Sequence, residues 1–476
     1  KVSSFCSVII FEFILTLTSR CLTSSPQTKG LLSVFRSDKM ASIVMGSQAA
    51  IRASTGRHQQ LGSGTSRGMS PRAPVPRAAS RALTSRTLTA PVRSKTISAS
   101  NKAGRRQTAL RTRCAATTTQ VTHPLQPLEA SEIQAALTVL REAGKLTPSM
   151  RVVSVMLHEP PKSAVYASTP VRREAFVSLF DNPANAAYEA TVTVEGAGEL
   201  LSWQHIPGVQ PTITVDECFE CEKAVMESEL FQAKMKEHYG VEDLSLLMVD
   251  VWSAGNYGQE EESTSRLARP LVFLRTDSTD NGYAHPIESL RPVVDLNTMK
   301  VLRVEEYDVG KYPIPPQPAN YAADRIDKFR EGLKPIQITQ PEGPSFSVNG
   351  NEVEWQNWKF VVGFNAREGL TMHHVRYGDR PVMYRAALSE MVVPYGDPSP
   401  QQARKNAFDT GEYGVGYCTN SLTLGCDCLG LIKYFDGHLC NSRGEPLTIP
   451  NAVCMHEEDV GINWKHTDRR LPNAPE

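Results

Sequence analysis

No stretch of this sequence supplies the roughly 18 consecutive apolar residues that a helix needs to cross a bilayer. The nearest approach, Phe5 to Leu17, is short and carries Glu12 within it. Acidic residues are almost missing from the first quarter of the chain. Residues 1–114 hold 19 Lys and Arg against 2 Asp and Glu, with neither acid between Met40 and Cys114. The remainder reverses that balance, with 32 basic and 49 acidic residues in a chain of zero formal net charge. An acidic folded part argues against nucleic acid as its partner. Paired cysteine motifs are also missing. Cys218-x-x-Cys221 stands alone, without the second pair of a zinc ribbon or the βαβ context of a redox motif, and reads as two thiols one helical turn apart. The glycine run near residue 411 lacks the G-x-G-x-x-G order and a preceding buried strand, which speaks against a dinucleotide loop.

What remains is ordinary for a multidomain globular protein. The chain has 476 residues, 40% of them hydrophobic and 21% charged, enough for two to four domains with their own cores. From Met40 to about residue 118 it is rich in Ser, Thr, Ala and Arg, with no sustained apolar period. Such a segment buries too little apolar surface to offset chain entropy. Its composition is that of an organellar transit peptide, which points to a plastid, with peroxisome or mitochondrion as alternatives. A solvated basic tail is the plainer reading. Residues 1–39 are expected to precede the true start at Met40; if they are native, Phe5 to Leu17 imitates a signal-peptide core and secretion becomes the alternative.

Three folded blocks follow. In the first, residues 119–211, Ser131-x-x-Gln134 has the form of a capping box, and Ile133, Ala136, Leu137 and Leu140 recur at helical spacing before Gly144. Strands are expected at Val152–Leu157, Ala175–Phe180 and Thr191–Val194, with a turn at Asp181-Asn182-Pro183. The second block, residues 212–318, repeats the order: a helix from Glu217 to about His238, then strands at Leu246–Val251, Leu271–Leu274, Val293–Leu296 and Val301–Val304. Pro313 to Pro318 is a stiff linker. Residues 319–476 read as all-β. Trp358, Phe360, Val362 and Phe364 alternate along one strand, and Val375–Tyr377 turns through Gly378-Asp379 into Val382–Leu388. The fold class is therefore α+β: two small helix-plus-antiparallel-sheet domains, then the beginning of a large β-sandwich.

The stretch that carries chemistry is Asn406-Ala407-Phe408-Asp409-Thr410-Gly411-Glu412-Tyr413-Gly414-Val415-Gly416. A carboxylate beside an aromatic, in backbone freed by glycines, suits a general base, because burial lifts a carboxyl pKa toward the working pH. A glycine-rich turn whose Asp caps backbone N–H groups is the plain alternative. Cys426, Cys428, His438 and Cys440 raise a zinc reading, although Cys-x-Cys followed by His-x-Cys is not a standard spacing. Glu457, Glu458 and Asp459 beside His456 read as an acidic solvated turn, with no metal.

That stretch, followed by Asn420-Ser421-Leu422-Thr423-Leu424-Gly425-Cys426-Asp427-Cys428-Leu429-Gly430, His456-Glu457-Glu458-Asp459 and Trp464-Lys465-His466-Thr467-Asp468, resembles the copper amine oxidases, the topaquinone-dependent primary-amine oxidases. The resemblance runs from about His123 to Asp468. It implies that Asp409 is the proton acceptor and that Tyr395 hydrogen-bonds the quinone O4. It places Ala407 at the channel gate, widened here for want of a tyrosine. Phe408, Tyr413, Gly414 and Cys418 line the substrate channel, and Cys428 pairs with Cys454 as a disulfide. It further implies copper and topaquinone as cofactors, small primary amines and molecular oxygen as substrates, aldehyde, ammonia and hydrogen peroxide as products, and a homodimer. The family's quinone motif, Asn-Tyr followed by an acid, is not found: the Asn-Tyr pairs are Asn256-Tyr257-Gly258 and Asn320-Tyr321-Ala322. The family's His-x-His copper pair is not found either; His373 and His374 are adjacent. The chain accordingly reads as the front two-thirds of such an enzyme, with no metal ligands of its own and no activity alone. The alternatives are an inactive fragment with a binding or regulatory role, and a zinc-binding β-domain.

Overall fold

The computed structural model describes residues 121–308, 313–320, 325–461 and 470. The transit-peptide-like tract and residues 1–39 lie outside them. Helix α1, Ala130–Glu142, buries the four expected positions, Ile133, Ala136, Leu137 and Leu140. Its capping box sits two residues earlier than the sequence suggests: Glu132 Oε2 accepts from the Glu129 N–H at 2.8 Å, and Ser131 lies inside the helix. Glu132 also pairs with the buried Arg173, which fixes the cap there. Strands β1 (Met150–Leu157), β2 (Glu174–Asp181), β3 (Ala186–Thr193) and β4 (Leu200–Ile206) form an antiparallel meander. The third strand therefore starts before Thr191. Helix α1 covers one face, its apolar stripe packed on Val152, Val177, Leu179 and Val192. A five-residue helix, α2 (Lys162–Tyr166), lies between β1 and β2.

The second block opens with two helices where the periodicity suggests one, α3 (Val215–Glu227) and α4 (Glu229–Tyr239). Ser228 ends the first in extended backbone and caps the second, its hydroxyl accepting from the Phe231 N–H at 3.3 Å. Both pack over strand pair β5 (Leu247–Asp250) with β7 (Leu271–Leu274), and over the sheet β6 (Leu267–Ala268), β8 (Leu290–Asp295), β9 (Lys300–Glu306). A further short helix, α5 (Glu260–Thr264), precedes β6. Cys218 and Cys221 lie in α3 as thiols, each pushed up to about 12, chiefly by burial. Glu217 and Arg266 form a wholly buried pair at 2.8 Å, and the Arg266 guanidinium also lies over the Phe180 ring of the first block.

The third block is a five-stranded antiparallel sheet: β10 (Phe346–Asn349), β11 (Glu352–Trp355), β12 (Trp358–Asn365), β13 (Gly369–Tyr377) and β14 (Arg380–Ala387). The hairpin β17 (Lys433–Cys440) and β18 (Pro446–Met455) packs across it. The alternating residues of β12 meet Phe435, Leu439, Ala452 and Val453 between the layers, which makes the start of a sandwich. The reverse face of β17 sends Cys440 into the core of the first block.

Candidate active site

Between β14 and β17 the chain runs back across the second block, and three anchors hold it there. The buried Gln401 donates to the Ile287 carbonyl at 2.7 Å. Arg404 pairs with the buried Glu262, whose other oxygen accepts from the Tyr257 N–H at 2.7 Å. The Tyr257 hydroxyl then bonds the Arg404 carbonyl and the Asn406 amide. So tethered, strand β16 (Asn406–Ala407) pairs with β15 (Val393–Pro394) in the register Val393 to Ala407 and Pro394 to Asn406. The next pair in that register is Tyr395 with Lys405, joined by the Tyr395 N–H to the Lys405 carbonyl at 3.2 Å.

Past β16, residues Asp409–Tyr413 form a single wide turn of π-helix, closed by the Gly414 N–H on the Asp409 carbonyl at 3.0 Å. Gly414 has φ +84°, and a Cβ there would meet the Ala366 carbonyl at 2.6 Å. Gly416 lies against the Asn365 carbonyl just as closely. The glycines are needed because the turn is pressed onto the end of β12, which excludes a side chain.

Asp409 is half-buried, and its carboxylate accepts no hydrogen bond from a described residue. It is close enough to raise the pKa of two neighbours, Tyr395 and Cys418, in each of which burial is the larger cause. The carboxylate that burial does perturb is Glu412, which the sequence reading passed over. Its pKa is raised by burial, against the pull of hydrogen bonds from the Phe408 N–H at 3.3 Å and the Ser253 N–H at 3.2 Å. Ser253 follows β5 of the second block, so Glu412 pins the turn to that block.

The expected channel residues divide. Tyr395 is 53% exposed, and its ring stands edge-on to Trp252 at 5.5 Å. Phe408 is also exposed, while Ala407 and Gly414 are buried. Tyr413 turns away from solvent: its hydroxyl donates to the Val251 carbonyl at 3.0 Å, and burial raises its pKa. Trp252 and Lys405 join the site unforeseen, because only the fold brings residue 252 to residue 395. The Trp252 indole N–H donates to Asp250 at 3.0 Å, and burial holds the Asp250 carboxyl above its ordinary value.

Cys428 and Cys454 lie elsewhere, beside the β17–β18 hairpin. Both are thiols in this structure, with their sulfurs 2.7 Å apart. With His456 they form the group of metal-ligating side chains that comes together among the described residues, all ligand atoms within 4.8 Å. The zinc set suggested by the sequence is not assembled. Cys426 is exposed, His438 bonds Thr448 and approaches Glu129 at 3.4 Å, and Cys440 is in the core. Glu457 is no solvated acid, since it accepts from Trp355 Nε1, the Ser345 N–H and the Gln340 amide. Two sulfurs and one imidazole do not make the all-histidine copper site of the resemblance, so the described residues do not fit that metal, and no chemistry is derived through it.

Three family models match in order. The AGAO-like N2 domain covers residues 130–198, the copper amine oxidase N3 domain residues 216–324, and the copper amine oxidase enzyme domain residues 347–475. The chain belongs to the copper amine oxidase family. A primary amine oxidase and a copper methylamine oxidase of Arthrobacter sp. (strain P1) are each 48% identical over 360 residues, covering 74% of this chain and 55% of each relative. A peroxisomal copper-containing diamine oxidase of Nicotiana tabacum is 40% identical over 404 residues, covering 74% and 51%. The crystal structure of a copper-containing benzylamine oxidase from Hansenula polymorpha superposes with a TM-score of 0.63 at 31% identity, over 74% of this chain and 57% of that one. The chain thus spans about half the length of the curated relatives it matches, less than the two-thirds expected from the sequence. The enzyme-domain match also runs on past Asp468, where the resemblance was expected to stop.

Proposed function

We propose that this chain carries the amine-handling side of a primary-amine oxidase, with Asp409 as the general base that removes the proton from the carbon bearing the amine. The observation that carries this reading is a half-buried carboxylate, without a hydrogen bond to a described residue, beside an exposed tyrosine. A base must be free to accept a proton, and Asp409 spends no lone pair on a described residue. Glu412, which makes the structural bonds that a capping Asp would make, frees Asp409 from that role. Tyr395 orients the reacting group, Phe408 and Ala407 shape the entry, and Cys418 borders it. The oxidant side, copper and topaquinone with oxygen as acceptor, belongs to the family, and no described residue supplies it. The whole protein is expected to turn primary amines into aldehyde, ammonia and hydrogen peroxide, and to do so as a homodimer. Peroxide release from methylamine, measured on the cofactor-loaded protein, tests the activity; no peroxide above background would remove it.

The facing sulfurs of Cys428 and Cys454 favour a disulfide that closes a loop of about 25 residues, which would contribute roughly 3 kcal/mol. A peptide map under non-reducing conditions tests it. For location, three relatives whose names state a compartment, two from Nicotiana tabacum and one from Pichia angusta, name the peroxisome, which favours it over the plastid.

A further inference from the structure

Lys405 has no ion-pair partner among the described residues, yet it is half-buried. Its Nζ lies 4.3 Å from the centre of the Trp252 ring and 4.4 Å from that of Tyr395. An ammonium between two aromatic faces is held by the ring quadrupoles. The two rings stand at 89° to each other with their centres 5.5 Å apart, and the ammonium sits in the corner they make. In the β15–β16 register Lys405 is opposite Tyr395 and Ala407 is opposite Val393, so these four share one face of the ribbon. The clamped ammonium is therefore on the face that carries Ala407, and against the tyrosine that feels Asp409.

We propose that Lys405 is a specificity-determining residue, a fixed positive charge that sets the site against amines bearing a second positive charge. The proposal rests on the reading of Asp409 and Tyr395 as the amine site and names the substrate class: monoamines over diamines. The opposing charges are Asp250, Asp409, Glu412 and Glu390, the last of which accepts from the Gly411 N–H and pairs with Arg367. Asp250 and Glu412 are committed to Trp252 and to backbone N–H groups; Asp250 also supports the Lys405 ammonium, whose pKa burial lowers. A monoamine brings one ammonium toward Asp409. A diamine must hold its second ammonium along the wall where Lys405 already stands. At a separation near 10 Å and an effective dielectric near 20, like-charge repulsion amounts to about a tenfold loss of affinity.

The test needs no cofactor. The 476-residue chain is titrated with n-butylammonium and with butane-1,4-diammonium, reading tryptophan emission, with Trp252→Phe identifying the responding indole. The parent should favour the monocation by about tenfold. Lys405→Met should close that gap chiefly by tightening the dication, and Lys405→Arg should restore it. An unchanged ratio in Lys405→Met, equal binding by the parent, or no Trp252 response to either ion in Lys405→Met would overturn the proposal. In the cofactor-loaded protein the same change should appear in KM for diamines rather than in kcat. Asp409→Asn in the turnover assay reports on the base alone. Normal turnover there with the ratio intact would defeat the base and leave the charge selection standing.

Discussion

Glu412 and Asp409 are three residues apart, and the fold gives them opposite duties. Glu412 is buried and holds two backbone N–H groups; Asp409 is left with open lone pairs. The burial of Glu412 has a sign that can be measured. Its pKa is raised above the ordinary 4.5, so as pH climbs past that value the native state still holds a proton that the unfolded chain has released. Its contribution to stability is therefore full below 4.5 and declines as pH rises through the folded value. Glu412→Gln cannot ionise, and it turns an amide donor toward one of two N–H groups, which should cost about 1–3 kcal/mol. Urea unfolding should show the variant less stable than the parent at pH 4, with the gap narrowing by pH 8. A gap that widens with pH would mean that the carboxylate is needed charged. The sequence offered one faint signal for Glu412, an acid inside the same glycine run, but its partner Ser253 is 159 residues away. Trp252 and Lys405 were invisible for the same reason.

Among the elements, what local pattern dictates was legible. The apolar spacing of α1 named its buried residues, and the alternation of β12 named those facing the hairpin, although Val361 and Gly363 on the other face are buried as well. The failures lie where local pattern is overruled. Strand β4, Leu200–Ile206, buries none of its residues and gives no alternation to read. Ser228 breaks a continuous apolar period because its hydroxyl caps a second helix. The cap of α1 moved because Glu132 answers to Arg173 as well as to Glu129. Two predictions belong at this scale. Gly414→Ala places a Cβ against the Ala366 carbonyl at positive φ, and should cost roughly 1–3 kcal/mol while displacing Asp409. Thermal melts and amine turnover should fall together; a stable variant with parent activity would show the turn to be slack. On β9, burial alone would raise the Glu305 carboxyl, but hydrogen bonds from Tyr307 and Arg291, with the charges of Arg291 and Arg269, hold it at about 2. The stability this contributes is present above 4.5 and lost as pH falls toward 2. Glu305→Gln takes from Arg291 its carboxylate partner and from Arg269 one of three, and should cost roughly 3–5 kcal/mol at pH 7. Denaturation at pH 7 and pH 2.5 should show that cost shrinking in acid; a constant cost would exclude the carboxylate's charge as its source.

At the scale of the whole molecule, the second small α+β domain is a wall of the candidate site as well as a support. The turn that carries Asp409 is bonded to Ser253 and Val251 of the second block, and the loop before it is strapped to Ile287, Glu262 and Tyr257. The candidate site thus stands at a junction of the second block with the third, which neither makes alone. The sequence revealed which residue stands at that junction only through its resemblance to a family, since a glycine turn with an Asp has many uses. The measurement that tests this most directly is turnover of a primary amine by the cofactor-loaded protein carrying Asp409→Asn. Asparagine keeps the shape and removes the base, and the Asp409 side chain makes no hydrogen bond to a described residue. The account predicts an unchanged unfolding midpoint and a fall in kcat of about 10²–10⁴-fold. Turnover near the parent rate would contradict it and return Asp409 to the role of an ordinary residue in a turn.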